Sequence, residues 1–236
     1  MRVTIVFQFE EITRGMDQLH HDPDGYRADV VFRWGDPLFS DSPPFDANAQ
    51  SESKQLKQFG YNNDYLGFVP MPEGDDGAPR GILCVNHEFV STFLMLPSAA
   101  EGYPGSMTSE MCLTEMAAHG GTVVEIAKGS DGKWTVVRDG HYNRRITPLN
   151  TDMTLSGPAA GHARMKTSAD PEGMKVIGTL NNCAGGMTPW GTYLMAEENF
   201  HGYFWTDTLD AEGKPDLSAQ PQAATLFGPR LFGITW

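Results

Sequence analysis

Residues 122–137 read TVVEIAKGSDGKWTVV, and this stretch sets the fold class. Thr122-Val123-Val124-Glu125-Ile126 and Trp134-Thr135-Val136-Val137 are rich in β-branched and aromatic residues, which suit a pleated, half-buried surface. Between them, Gly129-Ser130-Asp131-Gly132-Lys133 supplies residues that tolerate a tight reversal. Two such runs around such a turn predict a β-hairpin. The pattern continues in both directions. Residues 66–69 and 81–85 flank a longer turn at 72–79, and residues 174–180 and 192–196 are expected to pair around an irregular loop. Tyr203-Phe204-Trp205 is expected to open the next strand, and residues 110–119 are the best helical candidate. The chain is therefore expected to be mainly β, with short helices in loops; hairpins at this density suit a sandwich, a barrel or a propeller equally.

Composition agrees and sets limits. Of 236 residues, 40% are hydrophobic and 20% charged, and 26 Gly and 16 Pro punctuate the chain, as many short strands require. This length is enough for one domain with a sizeable core. No stretch approaches the roughly 20 apolar residues of a membrane span, so no membrane partner is expected. Three cysteines, Cys84, Cys112 and Cys183, cannot all pair within the chain, and their spacing is neither a disulfide framework nor a zinc knuckle. Thirty acidic against seventeen basic residues give a net charge of −13, a field that repels nucleic acid and phosphate esters unless bound cations reverse it locally. The plainer reading is that these acids keep the surface soluble.

Chemistry concentrates where apolar runs stop. Asn62-Asn63-Asp64 follows Phe59-Gly60-Tyr61, Asn86-His87-Glu88 follows residues 81–85, Asn181-Asn182-Cys183 follows residues 174–180, and Glu197-Glu198-Asn199 follows residues 192–196. A strand delivers its last residue to one end of a sheet, where binding groups commonly gather on a rigid scaffold. Cys183 lies among Asn and Gly, a loop composition, and a thiolate there suits a transition metal; an isolated cysteine is more often a small buried hydrophobe. Glu197 and Glu198 have no nearby Lys or Arg, and alternation turns one of them toward a metal and the other toward a neighbour. Their oxygens, with the Asn199 amide, suit calcium or iron.

Glu88 is a weaker candidate, because His87-Glu88 lacks the second histidine of a zinc helix and only one of the two can point inward. Asn62, Asn63 and Asp64 fit a calcium loop, but turns are the commoner use of such residues. His20-His21-Asp22 is expected to be solvated surface. His162 sits in a glycine-containing loop without the GK[ST] ending of a phosphate loop, and Arg144-Arg145 and Arg164-Lys166 are expected to pair with the surplus acids. No GxSxG elbow is present, which disfavours a serine hydrolase.

Beyond these clusters, Phe9-Glu10-Glu11-Ile12, Arg33-Trp34-Gly35-Asp36-Pro37, residues 59–64, 85–88 and 110–121, Tyr142-Asn143-Arg144-Arg145-Ile146, residues 156–162, Lys166-Thr167, Asp170-Pro171 and residues 178–204 occur in a fixed order and spacing. In these segments the chain resembles the PhoX-type alkaline phosphatases, a bacterial family of metal-dependent phosphoesterases. The resemblance implies a six-bladed β-propeller with a multinuclear iron and calcium site on its axis, acting on phosphate monoesters. It also implies a cysteine near the iron, which strengthens Cys183. Members of that family are several hundred residues longer. Residues 1–236 are accordingly expected to be the N-terminal part of one propeller domain, with a C-terminal remainder missing, carrying an incomplete metal site with little activity alone. The alternative is a non-catalytic propeller-type module that binds calcium or acts as a scaffold. Relatives are typically exported by the twin-arginine route, which implies a periplasmic or extracellular location, but Met1-Arg2-Val3-Thr4-Ile5-Val6-Phe7 carries no such signal. Either a truncated start has lost it, or this copy stays inside.

Overall fold

The computed structural model describes residues 9–103, 106–200 and 210–212. The expected strand at Tyr203-Phe204-Trp205 lies outside them. The described part is mainly β with a few short helices, in the order α1 (Glu52–Gln55), β1 (Asn63–Met71), β2 (Arg80–His87), α2 (Thr92–Met95), α3 (Ser109–Ala118), β3 (Gly120–Lys128), β4 (Trp134–Val136), β5 (Arg144–Ile146), β6 (Asp152–Thr154), β7 (Lys175–Ile177), β8 (Asn182–Met187) and β9 (Tyr193–Glu197). The main sheet runs β1-β2-β3-β4, with β5 also paired to β3, and every pairing is antiparallel. β6 pairs with β7 and β8 with β9, and none of these sheets closes on itself among the described residues.

The 122–137 hairpin is present as β3 and β4, with Lys128 opposite Trp134. The hairpin around residues 72–79 is present as β1 and β2. β3 is buried along almost its whole length, because both of its faces are covered. On one face Val85, Val124 and Ile126 pack with Leu38 and Phe59, with Phe32 stacked on Phe59 at 4.4 Å between ring centroids. On the other face lies the β8–β9 hairpin; Met187 comes up against Gly67 and Met195 against Gly121. Burying an aliphatic or aromatic side chain of this kind contributes about 1.5–3 kcal/mol each.

The expected pairing of residues 174–180 with 192–196 is not what forms. Lys175–Ile177 pairs with Asp152–Thr154, and Tyr193–Glu197 pairs with Asn182–Met187. The glycines of residues 182–187 look like loop punctuation, but here they serve close approach. A Cβ on Gly185 would sit 2.5 Å from the Tyr65 ring and 2.9 Å from the Leu194 carbonyl. Only glycine lets this strand lie against both. Cys183 is thus on a strand rather than in a loop.

The helix expected at 110–119 is observed as Ser109–Ala118. Thr108 caps its start, its side chain accepting from Met111 N at 3.2 Å. It ends at His119, and Gly120 follows with φ +88°, where any Cβ would lie 2.0 Å from the Ile146 carbonyl. The last helical carbonyls are taken up by the fold. Ala118 O accepts from Tyr61 N at 3.1 Å, and Ala117 O from Arg145 Nη2 at 2.8 Å. The end of α3 is thereby pinned to the start of β1 and to β5.

Candidate metal centre

Antiparallel hairpins bring the start of their first strand and the end of their second to the same place. Asn63 lies opposite His87 in the β1–β2 pair, and Asn182 opposite Glu197 in the β8–β9 pair. Since β8 packs against β1 and β2, both open ends meet. There Asp64, Glu88 and Cys183 offer ligand atoms that all lie within 4.8 Å of one another. The Cys183 thiol donates to Asp64 Oδ2 at 3.1 Å, and Asn62 Nδ2 donates to Glu88 Oε2 at 3.3 Å.

Among the sequence candidates, Cys183, Glu88 and Glu198 come together and Glu197 does not. Glu197 Oε1 accepts from Thr179 Oγ1 at 2.6 Å and Leu180 N at 2.8 Å, which ties it to the turn before β8. Glu198, one residue on, faces the Cys183 thiol and raises its pKa. Asp64, which the sequence leaves open between a calcium loop and a turn, belongs to the group. The register of β1 against β2 shifts between Asn63 and Leu66, the stretch that carries Asp64. Pairing the two ends of the β1–β2 hairpin, which the sequence does reveal, would have nominated it.

Other candidates are placed elsewhere. His87 is fully buried, edge-on to Phe59 with 4.9 Å between centroids, and its Nε2 lies 2.7 Å from Thr122 Oγ1. Asn86 holds β8: its Nδ2 donates to Cys183 O at 2.6 Å and Ala184 O at 3.0 Å, while the Tyr193 hydroxyl bonds Asn86 Oδ1. Asn86 therefore fixes the backbone that carries the thiol. Arg145, expected to meet a surface acid, is buried and donates to Thr122 Oγ1 and to the carbonyls of Ala117, His119 and Gly121. His162 Nδ1 accepts from Arg164 N at 3.2 Å in a short exposed turn, and His20 and His21 pair with Asp22 and Asp17 at the surface.

The electrostatics of the cluster are one-sided. Burial pushes the Glu88 carboxyl up, and the neighbouring Asp64 and Glu198 charges push it further. Hydrogen bonds to Glu198 and then Asp64 push the Cys183 thiol up to about 12. The charged groups that act on these two residues are all acidic. Three carboxylates and a thiol converging with no facing cation among the described residues repel one another when ionised, and a multivalent ion relieves that repulsion. The donor set fits such an ion: the sulfur suits a transition metal and the carboxylates a hard cation or iron.

The family model described as alkaline phosphatase PhoX matches residues 7–228. The chain belongs to the PhoX alkaline phosphatase family. No curated protein matches it. A solved structure, that of Pseudomonas fluorescens PhoX in complex with vanadate, a transition state analogue, is similar with a TM-score of 0.70 and 37% identity, over 82% of this chain and 32% of that one. The chain thus spans about a third of the length of that PhoX protein.

Proposed function

We propose that this chain carries one part of the metal centre of a PhoX-type, metal-dependent phosphoric monoester hydrolase built on a β-propeller. The observation that carries the reading is the convergence of Asp64, Glu88 and Cys183 within 4.8 Å, with Glu198 on the thiol and only acids acting on it. Membership of the family and the vanadate complex of its Pseudomonas fluorescens member support phosphoryl chemistry. Cys183 would hold iron, with Asp64, Glu88 and Glu198 shared between iron and calcium. Bound cations would draw the anionic oxygens of a phosphate monoester and offset the charge of its transition state.

The chain's own residues prepare this. Cys183 must release its proton on binding, and its raised pKa makes binding stronger as the pH rises. Asn86 fixes the strand on which Cys183 sits. The acids give no anchor for a phosphate, and the buried Arg145 is committed to backbone carbonyls, so groups beyond this cluster complete the reaction site. A partial site cannot hold both a nucleophile and a phosphoryl group in line.

Metal analysis of the purified chain, after exposure to iron and calcium, together with p-nitrophenyl phosphate turnover, tests the reading. Iron and calcium retained in fixed ratio, iron lost in Cys183→Ala, and negligible turnover are expected. Chelator-sensitive turnover by this chain alone, abolished by Cys183→Ala, would overturn the partial site. Calcium alone would favour a non-catalytic binding module, and retention of neither metal would refute the metal centre.

A further inference from the structure

Beneath the acidic cluster, at the C-terminal end of α3, lies a second polar group that the proposed chemistry does not use. His119 is 1% exposed, and its Nδ1 lies 2.6 Å from the backbone carbonyl of Glu88. A carbonyl can only accept, so Nδ1 carries the proton and the ring is oriented with it toward Glu88. The other side of the Glu88 backbone is held as well, because Glu88 N donates to Asn62 O at 3.0 Å. Glu88 follows the last residue of β2 and lacks ladder bonds of its own, so these two contacts set where its side chain starts.

His119 is itself fixed. Arg145 Nη2 donates to the His119 carbonyl at 2.9 Å and to the Ala117 carbonyl at 2.8 Å, while Nη1 donates to Gly121 O and Thr122 Oγ1, each at 2.9 Å. Thr122 Oγ1, already accepting from Arg145, lies 2.7 Å from His87 Nε2, so the residue before Glu88 is tied into the same group. His119, Thr122 and Arg145, all buried out of water, thus converge on the two-residue segment His87-Glu88 from the end of α3, from β3 and from β5. Groups behind a metal-ligating side chain commonly set its orientation, and their loss weakens metal binding without removing a ligand.

We propose that His119 is a positioning residue for the metal site: its Nδ1–H holds the Glu88 carbonyl and thereby aims the Glu88 carboxylate at Asp64 and Cys183. This rests on the reading of Glu88 as a metal-holding residue. The probe is the calcium ion alone, titrated calorimetrically into the full chain, with melting of the calcium-free protein followed in parallel. Wild type is compared with Glu88→Gln, His119→Asn, His119→Gln and His119→Leu. An asparagine amide nitrogen falls near the position of Nδ1, whereas a glutamine amide reaches the position of Nε2, so only the first restores the donor.

Glu88→Gln is expected to weaken calcium binding. His119→Leu and His119→Gln are expected to weaken it about 10- to 100-fold, and His119→Asn to remain within about threefold of wild type. If Glu88→Gln weakens binding but His119→Asn and His119→Gln bind alike, positioning by His119 is wrong while the metal site stands. A lowered melting temperature with unchanged calcium affinity in the His119 variants overturns it in the same way. If Glu88→Gln binds as wild type does, or wild type binds no calcium, the metal-site reading fails and this one with it. Should His119→Leu not fold, the Asn and Gln pair decides alone.

Discussion

Two polar regions lie at the same end of the main sheet and follow opposite rules. The buried one, His87, His119, Thr122 and Arg145, contains bases and no acid, and its hydrogen bonds run to backbone carbonyls and to one another. The other, Asp64, Glu88, Cys183 and Glu198, contains acids and no base, and its members raise one another's affinity for protons. The first ties β2, α3, β3 and β5 together. The second has too much negative charge for its own stability, which marks it as a place for something added.

The sharpest way to break this contrast is to remove Arg145. Arg145→Met would leave the Ala117, His119 and Gly121 carbonyls without their donor, and a buried group left unpaired costs about 1–3 kcal/mol. A loss of about 3–5 kcal/mol in a urea titration is expected, with the end of α3 released; a change under about 1 kcal/mol would mean that water or neighbours replace the guanidinium.

On the acidic side the corresponding test is Cys183→Ala, expected to lower affinity for a transition metal by about 100-fold or more while leaving the fold intact. Its readout is iron content after desalting, alongside an unchanged circular dichroism spectrum. Wild-type retention in the variant would remove the thiol from the proposed site.

Acid should separate the two regions again. Burial, with Arg145 nearby, holds His87 well below its ordinary pKa, and burial holds His119 down to about 4. Their neutral forms stabilise the fold fully above about pH 6.5, and that contribution is lost as the pH falls toward 4, at about 1.4 kcal/mol per pH unit for each histidine. Glu88 runs the other way: its raised pKa favours the metal-free fold at low pH, and that contribution is lost as the pH rises through it. Melting the metal-free chain between about pH 8 and 4 should show net destabilisation below about 6.5, reduced in His87→Gln if that variant folds. An unchanged pH slope in that variant would show that His87 is not a source of it.

The smallest expected effect compares two neighbours. Glu197→Gln should cost about 1 kcal/mol through weaker bonds to Thr179 and Leu180 and leave metal affinity unchanged. Glu198→Gln should do the reverse, lowering the Cys183 pKa and weakening metal binding. If the two behaved alike, the assignment of Glu198 to the cluster would fail.

These residues also show what sequence can and cannot display. The β1–β2 and β3–β4 hairpins and α3 were legible because alternation, turn residues and helical spacing are local properties. The partner of residues 174–180 was not, because pairing with β6 is set by packing and leaves no trace in the local pattern. Cys183, Glu88 and the Glu197–Glu198 pair were visible as polar groups after apolar runs, yet the choice of Glu198 depends on the turn that captures Glu197. Asp64 stood beside them, but a turn is the commoner use of Asn62-Asn63-Asp64, and only the meeting of the two hairpin ends singles it out. Asn86 and Arg145 looked like a ligand and a surface cation; only the fold reveals that their partners are main-chain carbonyls.

The contact between Asp64 and Cys183 also closes a loop, for the two are 119 residues apart along the chain. The entropy of such a closure grows only with the logarithm of loop length, about 0.6 kcal/mol for each doubling, so a distant pair is not much harder to join than a near one. Under the proposed reading, an ion gripped from both sides would act as a removable staple between the β1–β2 and β8–β9 hairpins. Metal occupancy would then set how firmly the second hairpin is clasped to the sheet, and supply of the ion would govern the mechanical stiffness of the molecule as well as its chemistry.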